Sequence, residues 1–199
     1  MTRFVFDLDG TVTSEETLPL IAMHFGVTAQ IASLTEETMY GNMPFIESFI
    51  RRVNILGKLP IDQISDLFST VPVYSKVVEF IREHRDNCVV ATGNLGFWID
   101  KLMEKVGCLY YCSDGQVRDN GVEKLTYILK KENIVDMYKN NGEKVVFIGD
   151  GNNDFEAMRR ADISIASGLT HKPAKSVLSA ANYLIFSEEA LCRLLNQLL

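Results

Sequence analysis

The chain has 199 residues, of which 47% are hydrophobic and 23% are charged, as is typical of one globular domain with a buried core and a modest insertion. A formal net charge of −6 excludes the basic surface needed to bind nucleic acid or anionic lipid, so we expect a small ligand and neither nucleic-acid nor membrane association. The sequence shows no signal peptide, no membrane-spanning run and no sign of oligomeric state, and we expect a cytoplasmic protein whose cysteines are buried free thiols.

Short β-rich runs alternate with helical segments along the chain. The predicted strands cover residues 4–6, 88–91, 145–148, 163–165 and 183–186. Their continuous apolar character is typical of strands covered on both faces. Helix-spaced apolar residues lie between them, at 77–81 and again at 125–129. This alternation predicts an α/β fold with a doubly wound, mainly parallel, Rossmann-like sheet, in which ligands bind beyond the carboxyl ends of the strands.

The first crossover is far longer than a typical strand-to-helix connection, since residues 14–74 precede the next core helix near Ser75. Within this segment, amphipathic helices are predicted at residues 18–25, 46–56 and 61–68. Turn-forming residues punctuate them at Gly26, Gly41, Pro44, Gly57 and Pro60. We therefore expect a small helical cap inserted after the first strand, with residues 1–13 and 75–199 forming the core domain and residues 14–74 forming the cap.

Two carboxylates stand where the first predicted strand stops. Asp7 and Asp9 are separated by one residue, and side chains two positions apart in an extended segment point the same way. Two like charges this close require a cation, and hard oxygen ligands suit Mg²⁺, which leaves coordination positions for water and substrate phosphate. The competing interpretation is a strand followed by an ordinary Asp-Gly turn.

A second acidic cluster follows the strand predicted at residues 145–148. The sequence Gly149-Asp150-Gly151-Asn152-Asn153-Asp154 places carboxylates beside glycines, which let the backbone approach a ligand closely. We expect Asp150 to hold the same ion as the first cluster, with Asn153 and Asp154 completing a polar shell. The alternative is a turn in which Asn152 or Asn153 caps a following helix.

The strand predicted at residues 88–91 runs into Thr92-Gly93-Asn94 ahead of a helix. A hydroxyl and backbone N–H groups at a helix N-terminus can bind an anion, although the same residues also form an ordinary cap. A phosphoryl site also needs fixed positive charge. We take Lys124 as the candidate, because a lysine near a predicted helix start gains nothing from the helix dipole. The competing lysines are Lys130, Lys131 and Lys144.

These motifs, in this order along nearly the whole chain, resemble those of the haloacid dehalogenase superfamily, and specifically its phosphoserine-phosphatase-like branch. The resemblance implies a Mg²⁺-dependent phosphatase that hydrolyses a small phosphorylated metabolite through an aspartyl-phosphate intermediate. It implies that Asp7 is the nucleophile. It also implies that Asp9 protonates the leaving alcohol and then activates water.

The resemblance extends to the phosphate and metal sites. It implies that Thr92 and Lys124 bind the phosphoryl group, and we include Gly93 and Asn153 with them. It implies that Mg²⁺ is held by Asp7, Asp150 and the backbone carbonyl of Asp9. Asp154 then supports these ligands.

The chain departs from this branch in its expected substrate contacts. A glutamate after the first motif holds the substrate ammonium in those enzymes, and Glu16 is the candidate here, with Glu15 as the alternative. An arginine in the cap helix holds the substrate carboxylate, and alignment puts Ile50 in its place, with Arg51 next to it. We therefore expect phosphoserine to be a poor substrate. The second motif also differs, since Thr92-Gly93-Asn94 replaces a serine followed by two glycines.

Two other functions stay open at this level. One is a phosphotransferase of the same fold, in which an alcohol rather than water accepts the phosphoryl group. The other is a catalytically silent ligand-binding protein. The intact set of acidic, threonine and lysine residues argues against the silent protein, because a site without chemistry has no need of them.

Overall fold

The computed structural model describes residues 1–39 and 42–199, so the predicted turn residue Gly41 lies outside the described residues. The described part contains one sheet with helices on both faces. Its strands are β1 (Thr2–Phe6), β2 (Cys88–Leu95), β3 (Leu109–Arg118), β4 (Gly121–Tyr127), β5 (Lys144–Gly149), β6 (Ile163–Ser167) and β7 (Tyr183–Ile185). Its helices are α1 (Thr17–His24), α2 (Thr28–Met39), α3 (Phe45–Leu56), α4 (Ile61–Ser69), α5 (Ser75–Glu83), α6 (Gly96–Val106), α7 (Lys131–Asn140), α8 (Phe155–Arg160), α9 (Lys175–Ala180) and α10 (Glu188–Leu198).

The strand order in the sheet is β4-β3-β2-β1-β5-β6-β7. Neighbouring strands pair in parallel, except for β3 and β4, which are antiparallel. β1 lies between β2 and β5, and its Val5 is in register with Val89 on one side and Phe147 on the other. The predicted α/β fold with a mainly parallel, Rossmann-like sheet is therefore confirmed.

Successive residues of the central strands face opposite layers. Phe4 and Phe6 pack in one core with the apolar faces of α4, α5 and α6, whereas Val5 packs in a second core with α7 and α8. Because both faces are covered, these strands need apolar residues at every position, which explains their continuous apolar runs. Over the two described ranges, no helix has both the length and the apolar character needed to cross a bilayer. The described cysteines are free, but Cys88 alone among them is fully buried.

The hairpin of β3 and β4 differs from the sequence expectation. A helix was expected at residues 125–129, but β4 runs to Tyr127 and helix α7 begins only at Lys131. Asp119 and Asn120 have φ angles of 50° and 61°, the left-handed conformation that a two-residue hairpin turn requires. The Asp-Asn-Gly sequence at this turn was the available signal. The helical spacing of the apolar residues at 125–129 therefore predicted the wrong secondary structure.

Four described helices, α1 to α4, lie between β1 and α5, where three were predicted. The additional helix is α2, in which Ile31 is the one buried apolar residue among the side chains that the structure describes, so its apolar pattern is weak. Thr13 forms an antiparallel bridge with Val73, and the Tyr74 N–H donates to the Val12 carbonyl at 2.9 Å. The chain thus leaves the sheet region and returns to it at adjacent points. This arrangement supports a cap at residues 14–74, and the division into core and cap stays a prediction.

Candidate active site

The candidate functional residues follow three strands that are neighbours in the sheet. Because β1, β2 and β5 are adjacent and parallel, their carboxyl ends lie at the same edge. Asp7 comes directly after β1, Thr92 lies near the end of β2, and Asp150 follows β5. The topology therefore brings the three predicted motifs to one site.

A buried lysine joins the two acidic clusters. Lys131 Nζ donates to Oδ1 of Asp7 and, at 2.6 Å, to Oδ1 of Asp154. The side chains of Lys131, Asp7 and Asp154 are only 3%, 6% and 0% exposed. Burial lowers the pKa of the Lys131 ammonium, but the charges of Asp154 and Asp7 outweigh burial, so this pKa is raised. A fixed positive charge therefore lies beside Asp7.

Lys124, the lysine expected at this position, lies elsewhere. It is exposed on β4, so the candidate phosphate-binding lysine is Lys131, which was one of its competitors. Lys131 is the first residue of α7 and is buried on the same face as Ile134 and Val135. The spacing of these residues, i, i+3 and i+4, was the sequence signal that could have identified Lys131. The error followed from placing Lys124 at a helix start, when it lies in a strand.

Backbone hydrogen bonds hold the second acidic cluster. Asp154 Oδ2 accepts from the N–H groups of Asp150 at 3.0 Å and Gly151 at 2.9 Å. Both oxygens of Asp154 are thus in use, one by Lys131 and the other by the loop. A Cβ on Gly149 would lie 2.5 Å from Asp154 Oδ2, so this close approach requires glycine. Asp154 therefore serves to shape the loop that positions Asp150.

The acidic residues have a geometry that can hold a divalent cation. Carboxylate oxygens of Asp7, Asp150 and Asp154 lie within 4.8 Å of one another. Burial, followed by the charges of Asp7 and Asp154, raises the pKa of Asp150 to about 10, and burial also raises the pKa of Asp7. These shifts reflect burial first and, after it, negative charge that Lys131 does not fully balance. An all-oxygen donor set with excess negative charge suits a hard divalent ion.

Asp9 lies beside this cluster and has hydrogen bonds of its own. Its Oδ1 accepts from the Thr17 N–H at 2.9 Å and from the Thr17 hydroxyl, while its Oδ2 accepts from Asn94 Nδ2 at 2.7 Å. Burial, followed by the charge of Glu16, raises the pKa of Asp9 to about 6, against the effect of the Thr17 hydrogen bonds. A carboxyl with this pKa can give and take a proton near neutral pH, as an acid–base group must.

The predicted phosphate-binding residues differ in their surroundings. Thr92 is buried, and its Oγ1 accepts from the Asn94 N–H at 3.1 Å. Gly93 is half-buried, and a Cβ there would meet nothing within 4 Å among the described atoms. Asn153 is half-buried in the 3₁₀ turn Asn152–Asp154. Phosphate binding by these residues stays a prediction.

His171, which no sequence motif indicated, lies beside the candidate substrate residue Glu16. Its Nε2 is 2.9 Å from Glu16 Oε1 and 3.1 Å from Asp150 Oδ2. These atoms surround the position of a Cβ on Gly10, whose φ of 69° also favours glycine. A single histidine without ligand spacing carries no sequence signal, so only the fold shows that His171 lies at the site.

Helix α3 places Arg52 near the candidate site residues Glu16 and Asp9. Phe49 and Val53 are buried and set the rotation of the helix, and Arg52 lies beside them and is half-buried. Burial lowers the pKa of the Arg52 guanidinium, whereas the charges of Glu16 and Asp9 raise it. Arg52 is therefore within electrostatic reach of both carboxylates. The buried Phe49/Val53 stripe was the signal that could have identified it.

The residues expected near the substrate carboxylate lie on other sides of α3. Ile50 is exposed and lines a groove with residues of β4, including Leu125. Arg51 forms an exposed ion pair with Glu47 at 2.6 Å. The structure therefore does not support the expectation that Ile50 or Arg51 faces the substrate.

The family model and the similar proteins of known function indicate the same family for this chain. A model of haloacid dehalogenase-like hydrolases matches residues 1–162. A phosphoserine phosphatase of Methanocaldococcus jannaschii is 29% identical over 177 residues, which cover 81% of this chain and 83% of that protein. A phosphoserine phosphatase of Saccharomyces cerevisiae is 30% identical over 189 residues, which cover 87% of this chain but 61% of the yeast protein.

A solved structure supports the same relationship. A phospho-aspartyl intermediate analogue of phosphoserine phosphatase superposes with a TM-score of 0.78 at 25% identity, over 94% of this chain and 95% of that one. The matched family region, residues 1–162, contains both acidic clusters as well as Thr92 and Lys131. The chain therefore belongs to the haloacid dehalogenase-like hydrolases, in their phosphoserine-phosphatase-like branch, and is a phosphatase.

Proposed function

We propose that the protein is a Mg²⁺-dependent phosphoserine phosphatase that acts through a phosphorylated Asp7. The observation that carries this proposal is the buried ion pair in which Lys131 bridges Asp7 and Asp154, next to Asp150. A carboxylate nucleophile is repelled by an anionic phosphate ester. Fixed positive charge and a cation site beside that carboxylate offset the repulsion.

The proposed reaction has two steps that share one acid–base residue. Asp7 attacks phosphorus, the bond from phosphorus to the substrate oxygen breaks, and the leaving oxygen takes a proton from Asp9 to give the alcohol. Asp9 then takes a proton from water as that water attacks the aspartyl-phosphate, which releases phosphate and the Asp7 carboxylate. The pKa of Asp9, about 6, supports a group that serves first as acid and then as base.

The metal ligands in this proposal are Asp7, Asp150 and the backbone carbonyl of Asp9, and bound Mg²⁺ would neutralise charge on the phosphate and the nucleophile. Lys131, which contacts Asp7, would bind a phosphoryl oxygen. The Thr92 hydroxyl and the backbone at Gly93 would bind the others. Each of these residues lies at the common edge of β1, β2 and β5 or at the start of α7.

The substrate assignment depends on Glu16 and Arg52. Phosphoserine carries one ammonium group, which suits the Glu16 carboxylate, and one carboxylate, which suits a guanidinium. Arg52 is half-buried within electrostatic reach of Glu16, so the two charges needed for an amino acid lie on the same side of the site. The relatives named as phosphoserine phosphatases support this choice. The expectation of a poor phosphoserine substrate depended on Ile50 facing the site and loses its basis.

The test compares kcat/KM, with Mg²⁺, for phosphoserine and three esters that each lack part of it. Phosphoethanolamine lacks the carboxylate, 3-phosphooxypropanoate lacks the amine, and ethyl phosphate lacks both. We expect phosphoserine to be the best substrate. Arg52→Met should remove the preference over phosphoethanolamine, because that preference depends on the carboxylate. Glu16→Gln should remove the preference over 3-phosphooxypropanoate. Arg51→Met, a change of the exposed neighbouring arginine, is the matched control and should alter neither preference.

The outcomes separate the substrate from the mechanism. Equal rates of the wild type on all the esters would contradict the phosphoserine assignment but not the phosphatase chemistry. An unchanged preference in Arg52→Met would contradict the role of Arg52 in binding the substrate carboxylate. Full activity in excess chelator would contradict the metal requirement. Transfer of phosphate to an added alcohol, in place of release as inorganic phosphate, would indicate a phosphotransferase.

A further inference from the structure

Asn94 connects the candidate acid–base residue to the candidate phosphate-binding threonine. It is 3% exposed and lies near the end of β2. Its Nδ2 donates to Asp9 Oδ2 at 2.7 Å and lies 3.2 Å from Thr92 Oγ1 and 3.1 Å from Thr17 Oγ1. The motif that this segment resembles has glycine at the position of Asn94, and glycine has no side chain to make these contacts. The connection is therefore a feature of this chain.

The contacts of Asn94 direct the hydroxyl of Thr92. Thr92 Oγ1 accepts from the Asn94 backbone N–H at 3.1 Å, and Asn94 Nδ2 lies 3.2 Å away on the same side. The Asn94 amide has two hydrogens, and Asp9 Oδ2 accepts one of them, so Thr92 Oγ1 and Thr17 Oγ1 share the other. Because the backbone and side-chain donors of Asn94 face Thr92 Oγ1, the hydroxyl hydrogen points away from them. Within residues 1–39 and 42–199, no acceptor for that hydrogen is found. The Thr92 hydroxyl is thus oriented as a donor that a phosphoryl oxygen can accept.

The same side chain restricts the rotation of the Asp9 carboxyl. Thr17 donates to Oδ1 from its backbone N–H and its hydroxyl, and Asn94 donates to Oδ2. With donors on both oxygens, the plane of the carboxyl is set from two sides. Without Asn94, the donors from Thr17 hold only one oxygen, and the carboxyl can turn about that contact.

We propose that Asn94 is a positioning residue that orients Asp9 for proton transfer to the leaving oxygen and Thr92 for the phosphoryl group. The inference rests on the proposed function, because it needs Asp9 to act as the acid. A well-placed general acid contributes about 10²- to 10⁴-fold to a rate, and loss of its orientation removes part of that factor. The effect should be largest where the leaving group most needs a proton.

The experiment compares a poor leaving group with a good one. The serine oxygen of phosphoserine needs protonation, whereas p-nitrophenyl phosphate releases a phenolate that is stable without it. In Asn94→Ala, we expect kcat/KM to fall at least about tenfold more for phosphoserine than for p-nitrophenyl phosphate. Any loss through Thr92 should affect both substrates alike. Asn94→Gly, which matches the related motif and so suits the backbone, should show the same difference.

The control is Asn196→Ala, which removes an exposed asparagine on α10 whose hydrogen bond is to the Cys192 carbonyl. It should leave both rates unchanged. Thermal unfolding of each variant reports whether the fold is intact. Equal losses on the two substrates would overturn the role of Asn94 in orienting Asp9. No loss on either substrate in both Asn94 variants would overturn the positioning role at Asp9 and at Thr92.

The wild type is measured first, so that failure of the proposed function is recognised separately. If it hydrolyses other alkyl phosphates but not phosphoserine, the substrate assignment fails, and the leaving-group comparison is made with ethyl phosphate. If it hydrolyses no phosphate ester at all, the mechanism and the role of Asn94 both fail. Whether the wild type hydrolyses phosphoserine or only other alkyl phosphates, a leaving-group difference in Asn94 variants that have a normal Tm supports the positioning role.

Discussion

Replacing Lys131 by methionine should destabilise the protein and stop catalysis together. Lys131 is 3% exposed and donates to Asp7 and Asp154, which are buried with it. Methionine has a similar length but no charge, so the two carboxylates lose the cation that they share. Removing one partner from a buried ion pair costs about 3–5 kcal/mol, because the remaining charge is neither solvated nor paired.

This cost corresponds to a large change in thermal stability. For a chain of this size, 1 kcal/mol shifts the Tm by about 2–4 °C, so we expect a fall of roughly 6–20 °C in the metal-free enzyme. The fall should depend on pH. The pKa of Asp7 is already raised, and loss of Lys131 raises it further, so the folded variant binds more protons than the unfolded chain. Its stability therefore decreases as pH rises, and the difference from wild type should be larger near pH 8 than near pH 5.

The assay is thermal or chemical unfolding in the presence of chelator at both pH values, together with phosphatase activity with Mg²⁺. The matched control is Lys124→Met, since Lys124 is an exposed lysine on β4. This surface change should alter stability by no more than about 0.5 kcal/mol and leave activity intact. Equal losses of stability in the two variants, or an active and fully stable Lys131→Met, would refute the reasoning.

Three further predictions concern the carboxylates and their loop. Asp7→Asn should abolish turnover without unfolding the protein, since it removes the nucleophile at nearly constant volume; steady-state activity within about tenfold of wild type would contradict this. Mg²⁺ should raise the Tm more near pH 8 than near pH 5, because the pKa values of Asp7 and Asp150 are raised and both carboxyls must lose protons to bind the ion. The same increase in Tm at both pH values would argue against these ligands. Gly149→Ala should cost about 1–3 kcal/mol in chemical unfolding, because its Cβ would lie 2.5 Å from the Asp154 carboxylate, and an unchanged midpoint would show that the loop can move away.

The candidate nucleophile and metal-binding carboxylates could be located from sequence because each follows a continuous apolar run. Asp7 and Asp150 come immediately after β1 and β5, and the alternation of strands and helices predicted that these strands are parallel. Parallel strands of one sheet end at the same edge, so both acids were expected at that edge, and the pairing of β1 with β5 brings them together. No knowledge of side-chain packing was needed for this conclusion.

The hairpin of β3 and β4 could also have been predicted, but a misleading pattern concealed it. Leu125, Ile128 and Leu129 have helical spacing, yet the first of them lies in β4 and the other two follow it. The stronger signal was the turn at Asp119-Asn120, where short polar side chains tolerate positive φ. Turn chemistry was thus more informative here than the spacing of three apolar residues.

The cations of the site were decided by tertiary packing. Lys124, Lys130 and Lys131 lie within a few residues of one another in the sequence. Ile50, Arg51 and Arg52 are consecutive in α3, and at about 100° per residue they point to different sides of the helix. Local sequence does not state which of these side chains becomes buried against the carboxylates. That choice depends on how each helix rotates when its apolar stripe meets the core. Docking of α7 places Lys131 beside Asp7 and Asp154. Docking of α3 places Arg52 within electrostatic reach of Glu16. In each helix the buried apolar stripe sets this rotation, because burial of apolar side chains is the main stabilising term for an amphipathic helix.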